Sequence, residues 1–325
     1  MEKVLALNNT HEMKKIADEL FSVIPGIDTA SPVPVIEAGS LTAREFKESL
    51  VSKNSACLIK GAVRNWPAVQ KWKKKEYWIN TCRNEERKVI THMNYYGWSR
   101  KNAGSEQIPF HDAIERLFGN TDHIFSIPSQ VVDEQSLFAG IIKDLPGFPF
   151  LEGGLPPLID KPRGLFIYRR ASTAWHVHNC DETLMCQVKG AKMVALLPSW
   201  IPQAKQVTEF LEREEYLEGK KLDATLPLQP RVALVEEGDA LYIPPHWFHC
   251  VVPVDGEFGF TSLTVFRSPW HVYGNFSSYF VRRLYKMAFR NASPGIKFII
   301  PFWGLYAALC YYGRRLTGRT VPRRK

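Results

Sequence analysis

Four histidines stand in two short clusters that have the residue types and the spacing of a metal site. His176 and His178 lie two residues apart in the segment WHVHNCDE, and His246 and His249 lie three apart in IPPHWFHC. Side chains two apart on a strand project from the same face, so an imidazole from a neighbouring strand would complete three ligands for a transition metal. His249 is the predicted third ligand, because the spacing of three places His246 on the opposite face.

Two acidic residues follow the first cluster. Asp181 and Glu182 stand three and four residues after His178, and either could supply an additional, anionic ligand. The run from Gly238 to Pro244 directly precedes the second cluster. The combination of two histidine clusters with a carboxylate pair therefore predicts a metal centre rather than isolated packing residues.

The segments that must hold these residues change in character near residue 165. From 165 to 267 short stretches rich in β-branched and aromatic residues alternate with turn residues, which predicts a sandwich or barrel of short strands, interrupted by a helix near 205–217. The preceding part mixes helical and strand-like patterns. The predicted helices are 11–24, 41–52, 73–81, 110–118 and 133–142, and the predicted strands are 56–60, 87–95 and 123–127. This is a mainly β fold with N-terminal α/β elements.

Composition narrows the class of protein. The chain has 325 residues, of which 45% are hydrophobic and 23% charged, and this excludes a disordered chain. Its six cysteines are scattered, and the first fifteen residues have no signal-peptide pattern, so a reducing, cytoplasmic location is predicted. The sequence contains no P-loop, dinucleotide-binding turn, nucleophile elbow or cysteine-based zinc ribbon.

The histidine clusters carry a resemblance to a known family. Residues 172–199 and 236–252 resemble the two metal-binding motifs of the Jumonji-C-type cupin oxygenases, and the similarity extends over about 33–270. The resemblance implies a double-stranded β-helix, the cupin or jelly-roll barrel, with its core at about 165–267. An N-terminal helical extension (1–32) and a helical tail (271–325) would flank this domain.

The resemblance also implies a cofactor and a cosubstrate. The family holds Fe(II) with a His-x-Asp/Glu pair and a distal histidine; His176 and His249 match, whereas His178 stands where the family has its carboxylate. Thr173 and Lys192 match the residues that bind the distal carboxylate of 2-oxoglutarate, through charge-assisted hydrogen bonds. The implied activity is that of a 2-oxoglutarate-dependent hydroxylase, and its substrate, whether protein, RNA or small molecule, is not readable.

Two alternatives follow from the missing carboxylate. The set His176, His178, Glu182 and His249 also fits the ordinary cupin pattern of three histidines and one glutamate, which serves other reactions. Alternatively, the chain retains the fold as a scaffold or pseudoenzyme without turnover. Binding of 2-oxoglutarate distinguishes the oxygenase from a cupin with three histidine ligands and one glutamate ligand. Decarboxylation of 2-oxoglutarate distinguishes the oxygenase from a pseudoenzyme.

The C-terminal tail differs from the rest of the chain in charge. Residues 276–325 hold 11 of the 42 Lys and Arg and no acidic residue, which leaves 31 against 33 acids and a net charge of −2 elsewhere. A helix is predicted at 278–290, and the uncharged run 298–312 would extend about 22 Å as a helix, less than the ~30 Å hydrocarbon core of a bilayer. The tail predicts association with an anionic membrane surface, a homodimer through the C-terminal helices as in dimeric members of the family, or, third, contact with nucleic acid phosphates.

Overall fold

Two β-sheets form the centre of the protein. The computed structural model describes residues 19–92, 103–119, 124–254 and 258–317. The strands are β1 (Ser31–Pro32), β2 (Val35–Glu37), β3 (Cys57–Lys60), β4 (Glu86–His92), β5 (Ala103–Pro109), β6 (Phe125–Val131), β7 (Arg163–Arg169), β8 (Thr173–Val177), β9 (Asp181–Lys189), β10 (Lys192–Leu197), β11 (Arg231–Val235), β12 (Ala240–Ile243), β13 (Phe248–Pro253) and β14 (Phe258–Arg267).

The smaller sheet has the order β1-β11-β10-β13-β8 and the larger sheet the order β2-β3-β12-β9-β14-β7-β6-β4-β5. Consecutive strands change sheets: β9 belongs to the larger sheet and β10 to the smaller, and the chain turns between them at Gly190, whose φ of 80° favours glycine. This exchange of strands between two facing sheets confirms the predicted cupin-type barrel, and β7 to β14 occupy residues 163–267.

Strand alternation separates the interior of the barrel from its outer faces. On β10, Val194 and Leu196 belong to the apolar cluster between the two sheets, whereas Met193 and Ala195 belong to a second cluster on the outer face of the smaller sheet. All four side chains are buried. A strand that is apolar on both faces is therefore covered on both, and one of those faces lines the barrel interior.

Helices cover both outer faces. They are α1 (Ala43–Glu45), α2 (Pro67–Lys71), α3 (Lys75–Thr81), α4 (Phe110–Phe118), α5 (Ala204–Glu212), α6 (Tyr279–Asn291) and α7 (Pro294–Leu316). Trp78 of α3 stacks on Phe260 of the larger sheet at 4.7 Å between ring centroids. Phe210 of α5 and Phe280 of α6 pack with Leu20 on the smaller sheet.

The structure also corrects the local predictions. The helix expected at 133–142 is absent: Asp133 accepts hydrogen bonds from the backbone N–H groups of Gln135 and Ser136, and only a 3-10 helix at Ala139–Asp144 follows. Such a local side-chain bond offers the backbone a turn in place of a helix. Strand β5 was not predicted. The predicted segments 11–18, 93–95 and residue 123 lie outside the described residues.

Candidate metal centre

Two neighbouring strands bring the three predicted histidine ligands together. β8 and β13 are antiparallel, and His176 lies directly opposite His249, while His178 follows the last residue of β8. The ring centroids of His176 and His249 are 4.0 Å apart, and that of His178 lies 5.5 Å and 4.8 Å from them. One ring nitrogen of each imidazole lies within 4.8 Å of the other two, so one ion could bind all three.

Backbone carbonyls orient two of the imidazoles. His176 Nδ1 lies 2.9 Å from the carbonyl oxygen of Ala174, and His249 Nδ1 lies 3.1 Å from that of Trp247. A carbonyl oxygen only accepts hydrogen bonds, so each Nδ1 carries the proton and each Nε2 keeps a free lone pair. This is the tautomer in which a histidine binds a metal through Nε2, and the outer hydrogen bond fixes the plane of its ring.

The third imidazole is held by a side chain. His178 Nδ1 lies 2.9 Å from the hydroxyl oxygen of Thr183 on β9, a strand of the opposite sheet. Because a hydroxyl donates as well as accepts, this contact permits either tautomer. His178 is therefore positioned by the larger sheet, whereas the other two ligands are positioned by the smaller one.

Burial keeps the three imidazoles neutral. Burial, together with repulsion from the charge that His176 would carry, lowers the pKa of His178 to about 3. Burial, followed by repulsion from the other two histidines, lowers the pKa of His249 well below its usual range. The pKa of His176 is also lowered by burial. Neutral imidazole is the form that binds a metal, so the site does not have to lose protons at neutral pH in order to bind.

Neither predicted carboxylate joins the cluster, and the expectation of a fourth ligand is wrong. The Asp181 carboxylate accepts the backbone N–H groups of Leu158, Ile159 and Asp160 at 2.7, 3.0 and 3.2 Å. It therefore closes the loop that precedes β7, and its two oxygens are directed at that loop.

Glu182 is fully buried on the other side of β9. Its two carboxylate oxygens accept hydrogen bonds from the hydroxyl groups of Tyr242 at 2.6 Å and Ser268 at 2.7 Å. Strand alternation explains the result, because Glu182 faces opposite to its neighbour Thr183, which contacts His178. Burial raises the pKa of the Glu182 carboxyl to about 7, against the two hydrogen bonds that lower it. The cupin pattern with Glu182 as a ligand is therefore not formed.

His246 also stays outside the cluster, as expected. It lies in the turn between β12 and β13 with a φ of 67°, and its Nε2 is 2.7 Å from the carbonyl oxygen of Asn179. Its ring stacks on Phe280 of α6 at 5.4 Å. These contacts give it a structural role in the loop that carries His178.

The predicted cosubstrate residues lie on strands of the smaller sheet. Thr173 begins β8 and pairs with Val251 of β13, and Lys192 begins β10. Leu196 of β10 pairs with His249, and Lys192 stands four residues before Leu196 on the same strand. Lys192 and Leu196 therefore both project into the barrel interior, and their backbones are about 13 Å apart along the strand. Lys192 is only 6% exposed. A lysine is seldom buried to this degree without a partner for its charge.

Sequence reasoning missed the polar groups around that lysine. Lys192 Nζ lies 3.9 Å from the ring centroid of Tyr168. The Tyr168 hydroxyl accepts a hydrogen bond from Gln187 Nε2 at 2.8 Å, and the Thr261 hydroxyl donates to Gln187 Oε1 at 2.9 Å. The signal that was available is Gln187 itself, a buried polar residue within an apolar strand.

Gly259 makes room for this network. A Cβ at this position would lie 2.2 Å from the Tyr168 hydroxyl oxygen and 2.7 Å from the carbonyl oxygen of Lys189. Real Cβ atoms do not approach other atoms so closely, so any side chain here would displace Tyr168. The barrel interior thus contains three kinds of surroundings: the apolar cluster between the sheets, the histidine cluster, and the polar region around Lys192.

Comparison with known proteins connects this geometry to a family. The profile of a family described as a cupin-like domain matches residues 43–271. Among curated proteins, the chain is 25% identical over 245 residues to the Drosophila melanogaster Jumonji C domain-containing protein 5, covering 67% of this chain and 56% of that protein. It is 24% identical over 249 residues to the human bifunctional peptidase and (3S)-lysyl hydroxylase JMJD7, covering 66% of this chain and 78% of the relative.

A third relative is the Arabidopsis thaliana lysine-specific demethylase JMJ30, which is 24% identical over 231 residues, or 67% of this chain and 51% of the relative. The match thus spans only about half the length of two of the three relatives. All three alignments leave about a third of this chain uncovered.

Proposed function

Because this chain belongs to the cupin-like domain family and its relatives include Jumonji C proteins, we propose that it is an Fe(II)- and 2-oxoglutarate-dependent oxygenase that hydroxylates its substrate. One observation carries the proposal: three neutral imidazoles converge within 4.8 Å inside the barrel, two of them held by carbonyls in the metal-binding tautomer. Such a preset cluster has no evident purpose in packing, since an apolar trio would fill the same space without the cost of burying polar atoms.

In this proposal His176, His178 and His249 hold the Fe(II). When bound, the ion would supply the redox chemistry that couples the oxidation of 2-oxoglutarate to succinate and CO2 with transfer of an oxygen atom from O2 to the substrate. The protein contributes orientation, because the backbone carbonyl oxygens of Ala174 and Trp247 fix the ring planes of His176 and His249.

Lys192 and Thr173 would bind the distal carboxylate of 2-oxoglutarate. The ammonium group of Lys192 is buried inside the barrel on the same face as His249, and an ammonium group binds a carboxylate through charge-assisted hydrogen bonds. The ring of Tyr168 lies against the same ammonium group, 3.9 Å from Nζ to the ring centroid.

A second candidate function rests on His178. Among the described residues no carboxylate belongs to the cluster, so bound Fe(II) would retain its full charge of +2 rather than +1. A more positive centre holds its electrons more tightly and is harder to oxidise. The second candidate is therefore a family member that binds metal and 2-oxoglutarate without turnover.

The names of the relatives indicate lysyl hydroxylation and lysine demethylation for those proteins. Hydroxylation of a C–H bond is the reaction type that we propose for this chain. A protein, an RNA or a small molecule could be the substrate.

The test is an anaerobic titration of the full chain with Fe(II) and then 2-oxoglutarate, read by the visible charge-transfer absorption of the complex, followed by admission of O2 and measurement of succinate. We expect one Fe(II) per chain, a new band on addition of 2-oxoglutarate, and slow succinate formation without substrate. Lys192→Met should remove the band and keep Fe(II), and Lys189→Met is the matched control. A band without succinate would favour the second candidate, and Fe(II) binding without a band would refute both.

A further inference from the structure

Helix α7 exposes an apolar surface that nothing in the described chain covers. Its buried stripe is narrow and consists of Ile300, Gly304 and Ala307. The rest of the helix presents large apolar and aromatic side chains to solvent. These are Ile296, Phe298, Ile299, Phe302, Trp303, Leu305, Tyr306, Leu309, Tyr312 and Leu316. A contiguous exposed patch of this kind marks an interaction site.

The same helix is docked along the body of the protein. A Cβ at Gly274 would lie 1.9 Å from the carbonyl oxygen of Ala307, so the two backbones touch. The ring of Trp270 lies 6.5 Å from that of Trp303 and 5.8 Å from that of Tyr306. The helix is therefore held on one side by the protein and open on the other.

The docking of α7 on the protein distinguishes a helix that spans a lipid bilayer from a helix that lies in the plane of its surface. With 23 residues α7 is long and apolar enough to cross a membrane by length and composition. A spanning helix needs lipid or other helices around its whole circumference, whereas α7 has a folded domain along one side. The geometry fits a helix that lies in the membrane plane with its free face in the interface.

The charges near the exposed side of α7 indicate which kind of partner surface it would bind. The exposed cations Lys286 and Arg290 end α6, Lys297 begins α7 and Arg315 ends it, while residues 276–325 contain no acid. A second copy would bring an equally positive surface against this one, which opposes self-association. Anionic headgroups complement the cations, and Trp and Tyr side chains favour the level of the headgroups.

We propose that α7 and the end of α6 bind the surface of an anionic lipid bilayer, with α7 in the membrane plane and Phe302, Leu305 and Leu309 inserted into the interface. The three side chains are 60–65% exposed, so their insertion costs no contact within the protein core. This proposal does not depend on the activity of the metal centre.

The bound helix would lie close to the metal centre. Ala307 packs with Cys180 and Tyr273, and the Tyr273 hydroxyl donates a hydrogen bond to the carbonyl oxygen of Cys180 at 2.6 Å. Cys180 is two residues from His178. Deleting the tail would remove this support, so the proposal is tested with surface substitutions in the full chain.

The experiment is flotation of the full chain with vesicles of phosphatidylcholine alone or with about 30% phosphatidylserine. We expect flotation with the anionic vesicles, reduced by raising the salt concentration from about 0.05 to 0.5 M. Leu305→Glu/Leu309→Glu should lower the bound fraction about tenfold or more. The matched control is Val35→Glu, an equally exposed apolar position on β2, which should bind as the wild type does.

Lys286→Glu/Arg290→Glu tests the electrostatic part and should reduce binding to anionic vesicles without altering the melting temperature. If Leu305→Glu/Leu309→Glu fails to fold, the binding of Lys286→Glu/Arg290→Glu to anionic vesicles still tests the proposal. Equal flotation with neutral vesicles, or none with either, would overturn the proposal. So would resistance of the bound protein to alkaline carbonate, which indicates a spanning helix, or a dimer in light scattering that Leu305→Glu/Leu309→Glu converts to a monomer.

Discussion

Replacing Glu182 by glutamine tests whether the buried carboxyl group of Glu182 has a raised pKa and destabilises the folded protein at high pH. In the unfolded chain this carboxyl titrates with a pKa near 4.5, whereas burial raises its pKa to about 7 in the folded protein. Between these two values the unfolded state releases the proton and the folded state keeps it, so the folded state loses stability as the pH rises. Above pH 7 both states are ionised and the loss is complete.

The size of the effect follows from that difference. At 1.36 kcal/mol per pH unit, the carboxyl destabilises the folded protein by about 2.5 kcal/mol between pH 5 and pH 8. Glutamine fills the same space and does not titrate. We therefore expect the free energy of unfolding of Glu182→Gln, relative to the wild type, to increase by about 2.5 kcal/mol from pH 5 to pH 8.

The assay is urea unfolding of both proteins at the two pH values in the presence of a chelator, with metal binding measured separately. Tyr242 and Ser268 each hydrogen-bond one oxygen of this carboxyl, and the glutamine amide can keep both contacts. A stability difference that is the same at pH 5 and pH 8 would refute the raised pKa. A variant that lost stoichiometric metal would refute our assignment of Glu182 to the structure rather than to the ligand set.

Three further predictions concern the site. His178→Asp should raise 2-oxoglutarate turnover about tenfold or more, measured as succinate formed per Fe(II), because it adds the anionic ligand typical of the family; abolition of an existing activity would instead make the third imidazole essential. Thr183→Val should weaken metal binding about tenfold in a competitive chelator titration, since it removes the partner of His178 Nδ1, and unchanged affinity would contradict that role. Gly259→Ala should lower the free energy of unfolding by about 2 kcal/mol in urea, because the new Cβ meets Tyr168, and a neutral result would mean that Tyr168 can move without cost.

Much of the candidate site was predictable because its signal is local. A spacing of two in an extended segment predicts that His176 and His178 lie on one side, and the second cluster supplied His249. The alternation of short apolar segments in the second half likewise indicates a barrel or sandwich without any knowledge of which strands pair. The basic, acid-free tail is visible from composition alone.

The direction of individual side chains depended on the register between distant strands. The pairing of His176 with His249 and the contact of His178 with Thr183 follow from how β8, β9 and β13 meet, which no local pattern specifies. The same register turns Glu182 away from the metal cluster and into a hydrogen-bonded pocket.

Only the tertiary structure showed which groups surround Lys192 and how α7 lies. Tyr168 reaches that lysine from another strand and is admitted by a glycine on a third. The uncharged run in the tail was predictable as a helix, yet its docking on Gly274 decides that one side is covered and the other free. Helical periodicity and composition are properties of a segment, whereas the covered side of a helix is a property of what it meets. The sequence by itself therefore determined the ligand types and the elements that carry them, and packing between distant segments decided their partners and orientation.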